Sequence, residues 1–313
     1  MNHTKNQTLE IMKQTTSHSI LTAILMLLVP MAAEAYDMVL DGIYYNLVGD
    51  HAVVTNNGNY NCYSGDVVIP ETVTKRGITY PVTIIGEDAF LDCGGLKSVT
   101  LPNSVTVIWD YAFYRCTNLA SITLGDSLKI VGCSAFELCS ALTSIILPNS
   151  VTTIEDYAFE NCGRLATVAI GSNVTSIGYF AFYGCSQLTN VISLAITPPA
   201  VNSLGLFDNM NLYAHASLYV LPRSLQAYQS ASYWKDFSQI LEIDTTGDVN
   251  GDGEVTIGDA NNVTEVIVNG GTGKGHTRVP GGIVVEIMVC DVNGDGEINI
   301  ADINAIIDII LKD

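Results

Sequence analysis

One phrase is written repeatedly in this chain at a single fixed interval, and that period constrains the fold more than any other feature. Its Phe recurs as Phe90, Phe113, Phe136, Phe159 and Phe182, its Cys as Cys93, Cys116, Cys139, Cys162 and Cys185, and its Leu as Leu96, Leu119, Leu142, Leu165 and Leu188. A constant period of about 23 residues is the signature of a solenoid. One coil has too little apolar surface to close a core, so its Phe, Ala, Leu and Ile are buried only by stacking on neighbouring coils. At about 1.5 to 3 kcal/mol for each large side chain fully buried, stability becomes a sum of nearest-neighbour terms. Any function of the solenoid then lies on its outer faces.

Within a coil, the phrase Leu119-x-x-Ile122-x-Leu124 predicts a short strand with Ala120, Ser121 and Thr123 facing out. Coils about 4.8 Å apart would join these strands into a parallel sheet along one face. The outward positions of the five coils are Lys97, Ser98 and Thr100, Ala120, Ser121 and Thr123, Thr143, Ser144 and Ile146, Ala166, Thr167 and Ala169, and Thr189, Asn190 and Ile192. They are small and nearly uncharged, a strip expected to be either solvated surface or a partner face. Pro-Asn-Ser at 102–104 and 148–150 turns the chain, Val105 and Ile108 begin the return side, and Ala-Phe drops its ring inward. Trp109, Tyr111, Tyr157, Tyr179 and Phe180 sit just before each Ala-Phe. They are the hot-spot candidates, since protein interfaces favour Trp, Tyr and Arg, with packing between coils as the competing role.

The fold class expected is therefore a β-rich leucine-rich repeat solenoid of short parallel strands in about five coils, followed by a small α-helical domain built on EF-hand-like loops. Residues 1–35 read as a signal peptide, with Lys5 and Lys13 before an apolar run from Ile20 to Val29 and Ala33-Glu34-Ala35 as a cleavage signal. The run is too short to span a bilayer and no second apolar span follows, so no transmembrane span is expected after cleavage and the mature chain is expected to be secreted, extracellular or on the cell surface. Residues 36–80 read as an N-terminal β cap over an edge that would otherwise template aggregation. The repeats occupy 81–192. Residues 193–243 read as a closing cap with a strand at 218–222 and a helix over 224–237, and 244–313 as a separate acidic module. With a net charge of -19 and only 13 Lys and Arg spread along the chain, a nucleic-acid footprint is excluded.

The acidic module writes one 12-residue motif twice. The first copy places Asp248, Asn250, Asp252, Glu254, Thr256 and Asp259 at positions 1, 3, 5, 7, 9 and 12, and the second places Asp291, Asn293, Asp295, Glu297, Asn299 and Asp302 there. Position 7 supplies a backbone carbonyl, position 9 often acts through water, and Gly253 and Gly296 at position 6 allow the sharp turn. An all-oxygen donor set in this order points to two Ca²⁺ ions. Without an ion the clustered carboxylates repel one another, so metal binding and folding are expected to be one event. Helical spacing follows each loop, in Val263, Val266 and Ile267 and in Ile303, Ile306, Ile307 and Ile310.

The repeat phrase L-P-N-S-V-T-x-I-x-x-x-A-F-x-x-C-x-x-L resembles the BspA-like leucine-rich repeats of bacterial surface and secreted proteins. Asp41-Gly42-Ile43-Tyr44-Tyr45 and Tyr63-Ser64-Gly65-Asp66-Val67-Val68-Ile69-Pro70 resemble the cap that precedes them. The match runs over roughly 41–243. It implies adhesion, with a protein or glycan ligand on a solenoid face, and carries no transferable binding residue. The duplicated D-V-N-G-D-G-E phrase with Asp at position 12 resembles a type I dockerin. That resemblance implies a cohesin partner and membership of an extracellular, cohesin-scaffolded, polysaccharide-degrading assembly, with loop positions 10 and 11, here Ile257-Gly258 and Ile300-Ala301, contributing to the partner surface. The two copies start at Asp248 and Asp291, wider apart than a dockerin's, with a Gly-rich insertion over 270–282.

No catalytic residues are expected. Gly125-Asp126-Ser127-Leu128 spells a hydrolase-like word but aligns with Pro102-Asn103-Ser104-Val105 and reads as a turn. Gly270 to Gly275 lacks the phosphate-loop spacing and reads as a flexible loop. His51, His215 and His276 stand in unrelated segments. Adjacent rungs about 5 Å apart fall inside the disulfide window, so distance alone leaves bonding open for the Cys file; its common direction and the hydrophobe-like behaviour of Cys favour buried thiols. Cys62, Cys133 and Cys290 have no assigned partner.

Overall fold

The computed structural model describes residues 36–58, 63–201, 206–207, 213 and 215–243, and the backbone of 275–279 and 283–287. The described residues between 36 and 243 form a β-solenoid of about six turns. It opens with an antiparallel meander, β1 (Met38–Leu40), β2 (Ile43–Val48) and β3 (His51–Thr55). β4 (Ser64–Val68) already lies in the solenoid, while β5 (Thr72–Lys75) and the long β6 (Ile78–Ile85) make a hairpin inserted into the first coil. β3 and β6 pair in parallel, which joins the meander to the stack and covers its first edge.

Each following coil gives one strand to each of two faces. On the return face β8 (Val107–Ile108), β10 (Ile130–Val131), β12 (Thr153–Ile154), β14 (Ser176–Ile177) and β16 (Ala200–Val201) extend the parallel sheet that starts at β6. On the other face β4, β7 (Gly95–Thr100) and β9 (Ser121–Thr123) form one parallel group. β11 (Ser144–Ile146), β13 (Thr167–Ile170), β15 (Asn190–Ser193), β17 (Ser217–Val220) and β18 (Gln239–Glu242) form a second. Through the repeats, partners in both groups stand one period apart in sequence, as in Ser98 with Ser121 and Ser144 with Thr167. The sequence period is thus the register of the sheet.

The core is a set of parallel files. Phe90, Phe113, Phe136, Phe159 and Phe182 are fully buried and stacked with centroids 4.7 to 5.2 Å apart. Tyr63 extends the file at one end, 4.5 Å from Phe90, and Phe207 at the other, 5.7 Å from Phe182. Trp234 and Phe237 meet Phe207 edge-on and close it. Beside it the Cys file is also buried, and its members are free thiols. Cys116, Cys139, Cys162 and Cys185 donate to the carbonyls of Phe90, Phe113, Phe136 and Phe159 in turn, at 3.1 to 3.2 Å. A side chain that must be small, apolar and a weak donor is met by Cys at every rung.

The closing cap departs from the helix expected over 224–237. A 3₁₀ turn (Pro222–Ser224) leads into α1 (Leu225–Ser230), and a second 3₁₀ turn (Trp234–Asp236) follows Tyr233, whose backbone is left-handed at φ +69°. On one continuous helix Tyr228 and Trp234 would lie about 120° apart around the axis. The break turns both into the core. There the Tyr228 hydroxyl lies 2.6 Å from Ser193 Oγ and donates to the Ala195 carbonyl, and the Trp234 indole donates to the Pro199 carbonyl. Further on, the backbone at Gly275–Val279 (β19) and Ile283–Ile287 (β20) pairs as an antiparallel hairpin. Of the stretch read as a flexible Gly-rich loop, Gly275 is the first residue of β19, and 270–274 lie outside the described residues.

Candidate interaction surfaces

Two solenoid surfaces are candidates: the strand face and the edge just before each Ala-Phe. On the strand face two registers point outward. One is polar throughout, running Asp66, Ser98, Ser121, then Ser144, Thr167, Asn190, Ser217 and Gln239. Ser98 Oγ donates to Asp66 Oδ1 at 2.7 Å and Ser217 Oγ to Gln239 Oε1 at 3.1 Å. The other begins with Val68, Thr100 and Thr123 and turns apolar in Ile146, Ala169, Ile192, Tyr219 and Leu241. The expectation that all these positions stand open on the face, as solvated surface or as partner face, fails over the later coils: Thr167, Ala169 and Ile192 are buried, at 4%, 1% and 0% exposure. Strands about 4.8 Å apart hold outward side chains of one register against each other, so Ile146 and Ile192 flank Ala169, and Tyr219 flanks Ile192. Ile146 and Leu241 stay exposed, and a groove lined by Ser121, Thr123, Ile146, Asn149 and Leu194 opens where β9 and β11 leave separate groups.

The edge is built by a repeated backbone device. Asp88, Tyr111, Ser134, Tyr157 and Phe180 occupy one position in successive coils, all with left-handed backbones of φ 53° to 60°. For non-glycine residues this costs about 1 to 2 kcal/mol each. Hydrogen bonds along the stack offset it: Asp88 N–H donates to Asp110, Tyr111 to Cys133, Ser134 to Asp156 and Tyr157 to Tyr179, at 2.8 to 3.3 Å to the carbonyls. The kink throws the side chain out of the coil while the Ala and Phe that follow turn in. At the kink Tyr111 and Tyr157 are exposed and Phe180 is half-buried; ahead of it Tyr179 is exposed and Trp109 half-buried. The three tyrosines are on the surface, and Tyr157 also packs between coils, on Phe180 of the next one.

Columns taken at the repeat spacing show what single positions concealed. The position before the kink reads Glu87, Asp110, Cys133, Asp156 and Tyr179, and the position just after Ala-Phe reads Leu91, Tyr114, Glu137, Glu160 and Tyr183. Rings and carboxylates are interleaved. Tyr111 meets Tyr114 edge-on at 5.7 Å, Tyr157 stacks on Phe180 at 5.6 Å, and Phe180 meets Tyr183 edge-on at 5.5 Å. Asp110 Oδ1 accepts the Cys133 N–H and Asp156 Oδ1 the Tyr179 N–H, at 2.9 and 2.7 Å. Burial holds the Asp110 and Asp88 carboxyls above their ordinary range. Glu87 is raised by burial and then by Asp88 and Asp110, and Glu160 by burial and then by Glu137. Burial also pushes the half-buried Cys133 thiol up to about 11, so it is not a nucleophile at neutral pH. The acids and the rings Tyr114 and Tyr183 were missed from the sequence; reading down the columns beside Ala-Phe was the signal that finds them.

The hydrolase-like word is a turn, with Leu128 N–H donating to the Gly125 carbonyl and Asp126 N–H to Asn103 Oδ1. Gly125 is required there because a Cβ would lie 2.1 Å from the Pro102 carbonyl oxygen. Among the described residues no group of three or more His, Cys, Asp and Glu is placed to hold a metal ion, and no helix is long and apolar enough to cross a membrane. The twelve proposed calcium ligands from Asp248 to Asp302, the partner positions Ile257, Gly258, Ile300 and Ala301, Cys62, Cys290 and residues 1–35 all lie outside the described residues.

A stack of parallel rungs with an invariant inner set and a varied outer set defines a leucine-rich repeat solenoid. More particularly, residues 59–189 match the BspA type leucine rich repeat region in six copies, and residues 246–311 match the dockerin type I domain, so the chain joins these two kinds of module. Type I dockerins bind calcium. No curated protein matches the chain. Among solved structures, a leucine-rich repeat protein from Bacteroides ovatus is similar at 25% identity and TM-score 0.47, covering 59% of this chain and 55% of that one. The T. pallidum leucine rich repeat protein is similar at 24% identity and TM-score 0.48, covering 74% and 95%. A leucine-rich repeat protein from Bacteroides capillosus is 30% identical with TM-score 0.38, covering 42% and 95%. The chain thus spans little more than half the length of the B. ovatus protein.

Proposed function

We propose that this chain is an extracellular, non-enzymatic interaction protein, whose solenoid holds a ligand on its outer surface and whose acidic module attaches it to a cohesin on a larger assembly. Residues 1–35 serve as the secretory signal, and the attachment module begins near residue 244. The observation that carries the proposal is the joining, in one chain, of a repeat region at 59–189 to a type I dockerin at 246–311. The solenoid spends its repeated Phe, Cys and Leu on stacking and leaves its edge rings in water. Such a chain is suited to binding.

The calcium loops fit the ion by donor chemistry, since every donor in each is oxygen and no nitrogen or sulfur intrudes. Asp248, Asn250, Asp252 and Asp259 with the Glu254 carbonyl would hold one ion. Asp291, Asn293, Asp295 and Asp302 with the Glu297 carbonyl would hold the other. Calcium supplies the charge that lets these carboxylates converge. Ile257, Gly258, Ile300 and Ala301, next to the last ligand of each loop, then face the cohesin.

Capture of the full chain on immobilised type I cohesins, with calcium and with a chelator, tests this. Calcium-dependent capture is expected. Two ions bound without capture by any cohesin would favour a second reading, in which calcium only staples the module of an adhesin. The wide separation of the loops, from Asp248 to Asp291, and the β19–β20 hairpin between them favour that alternative.

A further inference from the structure

We propose that the aromatic and acidic edge of the solenoid is a docking surface for a Lys- or Arg-rich segment of a partner protein. This rests on the reading of the solenoid as a partner-binding module and names the class of partner. The first observation is the rings. Tyr111, Tyr157, Tyr179 and Tyr183 are 36 to 42% exposed on one edge, and Phe180 bridges two of them. Interface hot spots favour Tyr, and an exposed ring face attracts a cation within about 6 Å of its centre.

The second observation is charge. Asp88, Asp110, Glu137 and Glu160 lie in columns beside these rings, and among the described residues none of the four forms an ion pair. Arg115, the cation of the neighbouring column, is taken up by Asp92 at 3.2 Å. Repulsion between Glu137 and Glu160 adds to burial in keeping the Glu160 carboxyl above its ordinary range, so the edge carries negative potential that its own coil does not neutralise. A guanidinium or ammonium group arriving here gains a ring face and a carboxylate together. The rungs recur at the 4.7 to 5.2 Å of the stacked Phe rings, so an extended chain laid along the edge meets a fresh ring or carboxylate at each rung. An anionic partner is repelled, and an uncharged glycan would leave the carboxylates unused.

Binding of a synthetic Arg/Lys-rich peptide to the full chain is the test, with a Gln-substituted peptide of the same length and an uncharged oligosaccharide as competing probes. The basic peptide is expected to bind, weakening as salt is raised toward about 0.5 M. Replacing Tyr157 and Phe180 by Asn, which tolerates the left-handed backbone, should weaken it about two- to fivefold per ring. Glu137→Gln with Glu160→Gln should weaken it and flatten the salt dependence, whereas Glu242→Gln, exposed on β18 away from the edge, should not. A melting midpoint no lower than that of the parent chain, followed by tryptophan fluorescence, keeps loss of folding out of the comparison. Equal loss with Glu242→Gln, no effect of the ring replacements, or oligosaccharide binding that these replacements abolish while the peptide does not bind, would overturn the proposal. Cohesin capture needs none of these residues, so failure here leaves the attachment reading standing.

Discussion

The inward and outward columns of one coil behave differently over the same five rungs. Inward, the residue is Phe every time, then Cys every time, then Leu every time, and each is buried. Outward, on the approach to that Phe, the column runs Glu87, Asp110, Cys133, Asp156 and Tyr179. A position whose neighbours above and below are copies of itself must suit its own kind at about 5 Å, and few side chains do so without water. A position facing solvent carries no such demand. Identity down a column therefore reports stacking, and variety reports surface free for recognition.

The sharpest break in this contrast is Phe136→Ala, at the middle of the file between rings at 5.0 and 5.1 Å. It should cost about 3 to 5 kcal/mol in chemical denaturation, because the hole sits between two rungs that cannot both collapse into it. A loss below about 1 kcal/mol would show that the ring is not held by its neighbours. Next in size is Gly171→Ala, where a Cβ would lie 2.3 Å from the Pro148 carbonyl oxygen. The coils must spread or the turn must shift, at about 1 to 3 kcal/mol.

Charge on the edge gives a smaller effect of definite sign. Carboxyls held above their ordinary range in the folded chain contribute stability that is present at low pH and lost as pH rises through the folded value. Asp110, Asp88, Glu87 and Glu160 all have this direction. Asp110→Asn keeps Oδ1 for the Cys133 N–H and removes the charge, so it should raise the thermal midpoint slightly at neutral pH and leave it unchanged in acid. Tryptophan fluorescence reads the solenoid alone, because the only two Trp are Trp109 and Trp234. Least of all, Tyr157→Asn should change stability by no more than about 0.5 to 1 kcal/mol, as for other exposed rings.

Much of the solenoid was legible in the sequence because its period is also the sheet register. The Phe, Cys and Leu files, the turn at Gly125 and the strand phrase all follow from one spacing. Elements outside the period were harder to see. Tyr63 joins the Phe file ahead of Phe90 from across the β5–β6 insertion, and Phe207 joins it beyond Phe182, each at more than one period from its neighbour, so neither falls on the repeat grid. The helix at 224–237 followed an apolar stripe, but burying both Tyr228 and Trp234 required breaking it. Burial of Ile192 and Ala169 depends on the side chains of adjoining rungs, which no single coil displays. The edge acids were visible as residues but not as a column until the kinked backbone set them beside the rings.

Stacking of the repeated residues is tested most directly by thiol accessibility, with labelled cysteines mapped by mass spectrometry in the folded chain and in denaturant. Cys93, Cys116, Cys139, Cys162 and Cys185 should remain unlabelled in the folded chain and label fully once it is unfolded, as buried free thiols require. Labelling of these five in the folded chain at the rate seen in denaturant would contradict a stacked solenoid.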